Sequence, residues 1–99
     1  MPEIDQARIF EEALQAYYSG DYSSAYQGFG RLMEAEGVPA FRQMHVLLYR
    51  GLCEVRLGIY AMALNHLDNY RNRSGPQREL AEAGIAEALR GMERQRAGE

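Results

Sequence analysis

The feature that most constrains the fold is an internal repeat at a shift of 38 residues. Such a period corresponds to one helix–turn–helix unit, so we expect stacked helical hairpins. Small residues near the hairpin contacts would let antiparallel helices approach closely, and a glycine would supply each turn. The shift aligns residues of the same kind: Ile9 with Leu47, Ala13 with Gly51, Leu14 with Leu52, Gly20 with Gly58, Tyr22 with Tyr60, Ala25 with Ala63, and Phe29 with Leu67.

Apolar residues recur every three or four positions along most of the chain, which predicts an all-α protein without strands. We expect five helices, over about residues 4–18, 22–36, 40–57, 60–72 and 76–94, with Asp21 capping the second and Pro76 opening the fifth. The third helix is apolar over more than half its circumference, so it should be central. The chain is expected to form one domain over residues 1–99, with repeats over about 3–36 and 40–72 and a capping helix over about 76–95.

The segments AYYSGDYSSAYQGFGRL and RGLCEVRLGIYAMALNHL resemble tetratricopeptide repeats. They share the pattern small-x6-Gly-x-Tyr-x2-Ala-x3-(Phe/Leu), and the two units cover about residues 7–72. The resemblance implies two antiparallel helix hairpins in right-handed superhelical stacking, followed by a C-terminal capping helix. The chain departs from the family in its longer period, in the absence of the family's closing proline, and in Ile9 and Leu47, which replace an early aromatic residue.

The resemblance also implies a concave groove, lined by the first helix of each hairpin and by the fifth helix. Tyr18 and Arg56 occupy equivalent repeat positions and are amphipathic, so we expect them to be exposed contact residues. Leu48, Leu52 and Val55 either line the groove or belong to the core, because apolar residues of a central helix are usually buried. The implied groove-lining residues are Phe10, Leu14, Tyr17, Tyr18, His45, Leu48, Leu52, Val55, Arg56, Arg78, Ala81 and Ile85.

The sequence carries no motif for catalysis, for a metal or for a cofactor. His45, Cys53 and His66 lack metal-ligand spacing, and Cys53 is expected to be a packed core thiol. Gly28 and Gly30 follow no strand and precede no phosphate-loop lysine, so they predict close helix approach or local fraying. The net charge of −3 and the interleaving of arginines with glutamates indicate neither a nucleic-acid nor a membrane partner.

The expected function is therefore non-enzymatic binding of an apolar or amphipathic peptide or helix, as an adaptor, a scaffold or a small chaperone. The alternative is a self-assembling homodimer, in which the groove or the Ala88–Gly91–Met92 end of the fifth helix packs against another copy. The chain contains eleven arginines and no lysine, which is typical of a GC-rich bacterial genome. A single cysteine and the lack of a signal peptide or a membrane-length apolar run predict a cytoplasmic protein.

Overall fold

The computed structural model describes residues 2–98, which form five α-helices and no strand. The predicted all-α class is confirmed, and the bounds of the third and fourth helices are those expected. The helices are α1 Glu3–Tyr18, α2 Tyr22–Glu34, α3 Ala40–Leu57, α4 Tyr60–Asn72 and α5 Arg78–Ala97.

The turns within the two hairpins depend on glycine and on one side-chain cap. Gly20 and Gly58 adopt φ angles of +88° and +78°, which residues with a Cβ atom rarely adopt. Asp21 accepts a hydrogen bond from the backbone N–H of Ser24 at 3.2 Å, so the predicted cap of α2 is confirmed. Hydrogen bonding to Ser24 also lowers the pKa of the Asp21 carboxyl group.

Three helix ends differ from the sequence prediction by two residues or more, and one of them is the end of α5, which continues to Ala97 instead of ending at about residue 94. Helix α2 ends at Glu34, because Ala35 is extended, with ψ at 142°. Helix α5 begins at Arg78, two residues after the proline that was expected to open it. The backbone N–H of Gln77 donates instead to the hydroxyl oxygen of buried Tyr70 at 2.8 Å, which holds the segment before α5 against α4.

The helices lie in two rows. Each helix packs against the next one along the chain, and α3 also contacts α1 and α5. Within residues 2–98, no Cα atom of α2 lies within 8 Å of one in α4, and the same holds for α1 and α5. One row therefore contains α1, α3 and α5, and the other contains α2 and α4. Half of the residues of α3 are buried, which confirms its predicted central position.

Glycines stand where paired helices approach most closely. A Cβ atom on Gly28 would lie only 2.9 Å from the Cβ of Ala13, so α1 and α2 approach closely at this point. A Cβ atom on Gly51 would lie only 2.7 Å from a methyl carbon of Leu67, so α3 and α4 approach closely at this point. Gly28 therefore marks close helix approach, the first of its two expected roles. The fully buried core residues come mainly from α2, α3 and α4 and include Ala25, Phe29, Leu48, Cys53, Ala63, Leu67 and Tyr70.

One surface that was expected to face a second copy is covered within the molecule. Ala88 and Gly91 are buried, and the ring of Tyr60 on α4 occupies the space into which a side chain at Gly91 would project. The prediction that the Ala88–Gly91–Met92 end could meet another copy is therefore wrong for Ala88 and Gly91.

Candidate peptide-binding surface

A small hollow lies where α1, α3 and α5 meet, and we call it the α1–α3–α5 notch. Its volume is about 90 Å³. Its floor and walls are mostly apolar, and a charged pair stands at its edge. The notch is lined by Tyr17, Leu52, Val55, Arg56, Leu80, Ala83, Gly84 and Glu87. Three of the predicted groove residues, Tyr17, Leu52 and Arg56, are therefore brought together here.

The charged pair joins α3 to α5. Nη1 of Arg56 donates to Oε1 of Glu87 at 3.3 Å, and both side chains remain partly exposed. The guanidinium carbon of Arg56 also lies 6.0 Å from the ring centre of Tyr22. Exposed ion pairs of this kind contribute little to stability, so Arg56 can exchange its partner at small cost.

Tyr18 lies next to the notch at the end of α1. It is 69% exposed, as expected, and its role in binding stays a prediction. Its hydroxyl oxygen lies 3.1 Å from that of Tyr49, and this hydrogen bond raises the pKa of Tyr18 to about 12. The Tyr18 phenol is therefore a neutral group, held at one edge by α3 and open to solvent at the other.

Aromatic packing fixes α1 on its neighbours. Phe10 lies edge-on to Phe29 at 5.9 Å and stacks on His45 at 6.0 Å between ring centres. Tyr17 lies edge-on to Tyr49 at 5.4 Å, and its partial burial raises the pKa of its phenol. The predicted groove residues Phe10, Tyr17 and His45 are thus half-buried, and much of their ring surface is used to join helices.

The remaining predicted residues divide between core and surface. Leu48 is 0% exposed and Leu52 is 6% exposed, so the core alternative applies to both, although Leu52 still forms part of the notch floor. Leu48 cannot line an open groove, because the helices packed around α3 cover it completely. Leu14 is half-buried. Arg78 is exposed but is not a notch residue, and its Nε donates to Oε1 of Glu82 at 2.7 Å.

Two exposed apolar residues of this row were not among the predicted groove residues. Phe41, in the first turn of α3, is 61% exposed, and Leu80, in the first turn of α5, is also exposed. Phe41 lies four residues before His45 and therefore on the same side of α3. That spacing would have identified it.

A buried acid–base pair on α3 and α4 was also missed. Oε1 of Glu54 lies 2.6 Å from Nδ1 of His66, and the Glu54 side chain has no exposed surface. Its other oxygen, Oε2, has no hydrogen-bond partner among the described residues. Sequence reasoning weighed His66 only as a metal ligand, and residues 2–98 hold no group of three acidic, histidine or cysteine side chains that could bind a metal ion. The pair joins α3 to α4.

Cys53 is a buried thiol, as expected. Burial, with a smaller effect of the neighbouring Glu54 charge, raises the pKa of Cys53 to about 12. The neutral thiol that results is a poor nucleophile.

Comparison with protein-family models, with curated proteins and with solved structures gave no match. Within the part of the chain that the structure describes, no helix combines the length and the apolar character needed to cross a membrane.

Proposed function

We propose that this protein is a non-enzymatic interaction module that binds an apolar peptide or an amphipathic helix along the row of α1, α3 and α5. The observation that carries the proposal is the α1–α3–α5 notch, an apolar hollow beside an exposed, exchangeable ion pair. An apolar side chain of the partner would enter the notch. Such a module would serve as an adaptor, a scaffold or a small chaperone, in keeping with the resemblance to tetratricopeptide repeats. We place it in the cytoplasm, because its single thiol suits a reducing compartment.

Exposed apolar side chains on all three helices of the row support this proposal. Tyr18 on α1, Phe41 on α3 and Leu80 on α5 are all at least one-third exposed. Large exposed apolar and aromatic groups are typical of partner-binding sites. Their separation along the row suits an elongated ligand better than a small molecule.

The polar edge of the notch favours a partner with an acidic residue next to its apolar one. A carboxylate from the partner would replace Glu87 on the guanidinium of Arg56. That exchange keeps the arginine paired, and the exposed Glu87 returns to water at little cost.

The experiment fills the notch without disturbing the core. Ala83 is exposed and lines the notch, so Ala83→Phe should occupy the hollow. Peptides are first selected from a displayed library of helical sequences and are then titrated calorimetrically. The Ala83→Phe variant should bind a selected peptide about tenfold more weakly or worse, with an unchanged melting temperature.

The matched control is Ala61→Phe, which adds the same ring to an exposed alanine on α4, outside the notch. This control should bind as the original protein does. The proposal fails if no peptide is enriched, or if Ala83→Phe and Ala61→Phe bind equally well.

A further inference from the structure

Helix α5 is covered on one side only. Its buried residues, Ala81, Gly84, Ala88 and Gly91, follow the spacing of one helix face, and among the described helices only the backbones of α3 and α4 approach α5 closely. Leu89 lies outside that face and is 53% exposed, more than any other leucine that the structure describes.

Leu89 is the midpoint of a stripe along α5. Glu82 and Arg96 lie seven residues before and after it, which is close to two helical turns in each direction. Both are exposed, whereas Ile85 and Met92, between them and Leu89, are half-buried. We call Glu82, Ile85, Leu89, Met92 and Arg96 the open stripe of α5. It has an apolar middle, a negative charge at one end and a positive charge at the other.

We infer that the open stripe pairs with the same stripe of a second copy of this chain, antiparallel and with the two-fold axis at Leu89. A two-fold axis at that position sets Glu82 of each copy opposite Arg96 of the other, because both lie seven residues from the axis. Two opposite-charge contacts then flank the apolar centre. A parallel pairing would set Glu82 against Glu82 and Arg96 against Arg96, which is repulsive.

The charge distribution of the whole helix favours the same arrangement. Residues 78–87 contain one arginine and three glutamates, whereas residues 88–97 contain three arginines and one glutamate. An antiparallel pair therefore brings the acidic half of one α5 to the basic half of the other. The antiparallel helix dipoles add to this preference.

The dimer interface and the notch use opposite flanks of α5. At 100° per residue, the notch residues Leu80, Ala83 and Glu87 lie about 180°, 120° and 160° around the helix from Leu89. Dimerisation therefore does not depend on the proposed peptide binding, and either one can fail without the other. A single helix face buries less than the roughly 1,200 Å² of a stable interface, so the dimer should be weak and concentration-dependent.

Sedimentation equilibrium of the full chain from about 10 µM to about 1 mM tests the inference, since weak interfaces associate in that range. The expected result is a rise from monomer to dimer mass. Leu89→Glu should remain monomeric throughout, because it would set two carboxylates at the axis. The matched control, Leu57→Glu, alters an exposed leucine on α3 and should dimerise normally. A protein that is monomeric at every concentration, or a Leu89→Glu variant that still dimerises, overturns the inference.

Charge reversal tests the antiparallel register. Glu82→Arg and Arg96→Glu should each weaken dimerisation by about three- to tenfold, because each creates two like-charge contacts. The double variant restores both contacts and should return to within about twofold of the original affinity. Glu82 also pairs with Arg78 in its own helix; that pair is lost in Glu82→Arg and in the double variant but kept in Arg96→Glu, so the double variant is compared with Glu82→Arg. Restoration must therefore come from the contact between copies, and a double variant no better than the singles refutes the register.

Discussion

Removing one partner of the Glu54–His66 pair should destabilise the protein far more than removing both. The Glu54 side chain has no exposed surface, and Oε1 has one described hydrogen-bonding partner, Nδ1 of His66 at 2.6 Å. His66→Ala would leave the buried carboxyl group of Glu54 without its described hydrogen-bonding partner. Breaking a buried pair in this way costs about 3–5 kcal/mol. That is a large fraction of the roughly 5–15 kcal/mol by which a domain of this size is stable.

Replacing both residues by leucine should recover most of that loss. Exchanging a buried ion pair for apolar side chains of similar volume is often neutral or stabilising, by about 1–4 kcal/mol. In this protein the exchange also removes Oε2 of Glu54, which has no hydrogen-bond partner among the described residues. The double variant Glu54→Leu/His66→Leu should therefore be more stable than His66→Ala by several kcal/mol.

Urea unfolding followed by far-ultraviolet circular dichroism measures these differences, since the chain has no tryptophan and is strongly helical. The single variants His66→Leu and Glu54→Leu complete a double-mutant cycle. The reasoning is refuted if His66→Ala costs less than about 1 kcal/mol, the ordinary worth of a surface pair. It is also refuted if the two leucine substitutions add independently, because uncoupled effects exclude a shared buried contact.

Three further results are expected. Gly51→Ala should lower the free energy of unfolding in urea by about 1 kcal/mol or more, because its Cβ would lie 2.7 Å from fully buried Leu67. In Gly30→Ala the new Cβ meets only the flexible end of an arginine at 3.2 Å, so the free energy of unfolding should be unchanged or rise by up to about 1 kcal/mol. Cys53, with a pKa of about 12, should react with a thiol reagent at neutral pH slower by a factor on the order of 10³ than in urea, and equal rates would contradict its burial. The pKa of Asp21 is lower in the folded protein than in the unfolded chain, where it is about 3.9, so its carboxylate stabilises the fold at pH values above about 3.9. This stabilisation should disappear as the pH falls through the folded pKa, and an Asp21→Asn variant should lack that pH dependence of the urea midpoint.

The parts of the fold that local chemistry determines were predictable from the sequence. The bounds of α3 and α4 follow from Gly58, whose left-handed conformation ends one helix, and from the apolar spacing on either side. The start of α5 was not predictable, because it depends on a hydrogen bond from Gln77 to Tyr70, seven residues earlier on another helix. Sequence spacing shows which residues share a helix face, but it does not show which hydroxyl will reach a neighbouring turn.

The candidate surface shows the same limit more clearly. Phe41 and Leu48 lie on one side of α3, seven residues apart, yet one is 61% exposed and the other is not exposed at all. Periodicity assigns both to one face, whereas the neighbouring helices cover the middle of α3 and leave its first turn open. His66 is a second example, because its role depends on α4 carrying it to Glu54, a contact that no local pattern encodes.

The position of α5 decides how the two proposed surfaces would work together. One flank of this helix closes the notch through Leu80 and Glu87, and the other presents Leu89 to a second copy. A dimer built on Leu89 would therefore carry two notches on outward-facing sides and could hold a partner with two binding segments more tightly than either notch alone. Leu89→Glu would then weaken binding of a two-segment partner while leaving the affinity for a single peptide unchanged. Ala83→Phe would weaken both, so the two variants separate the recognition of a peptide from the pairing of the modules that recognise it.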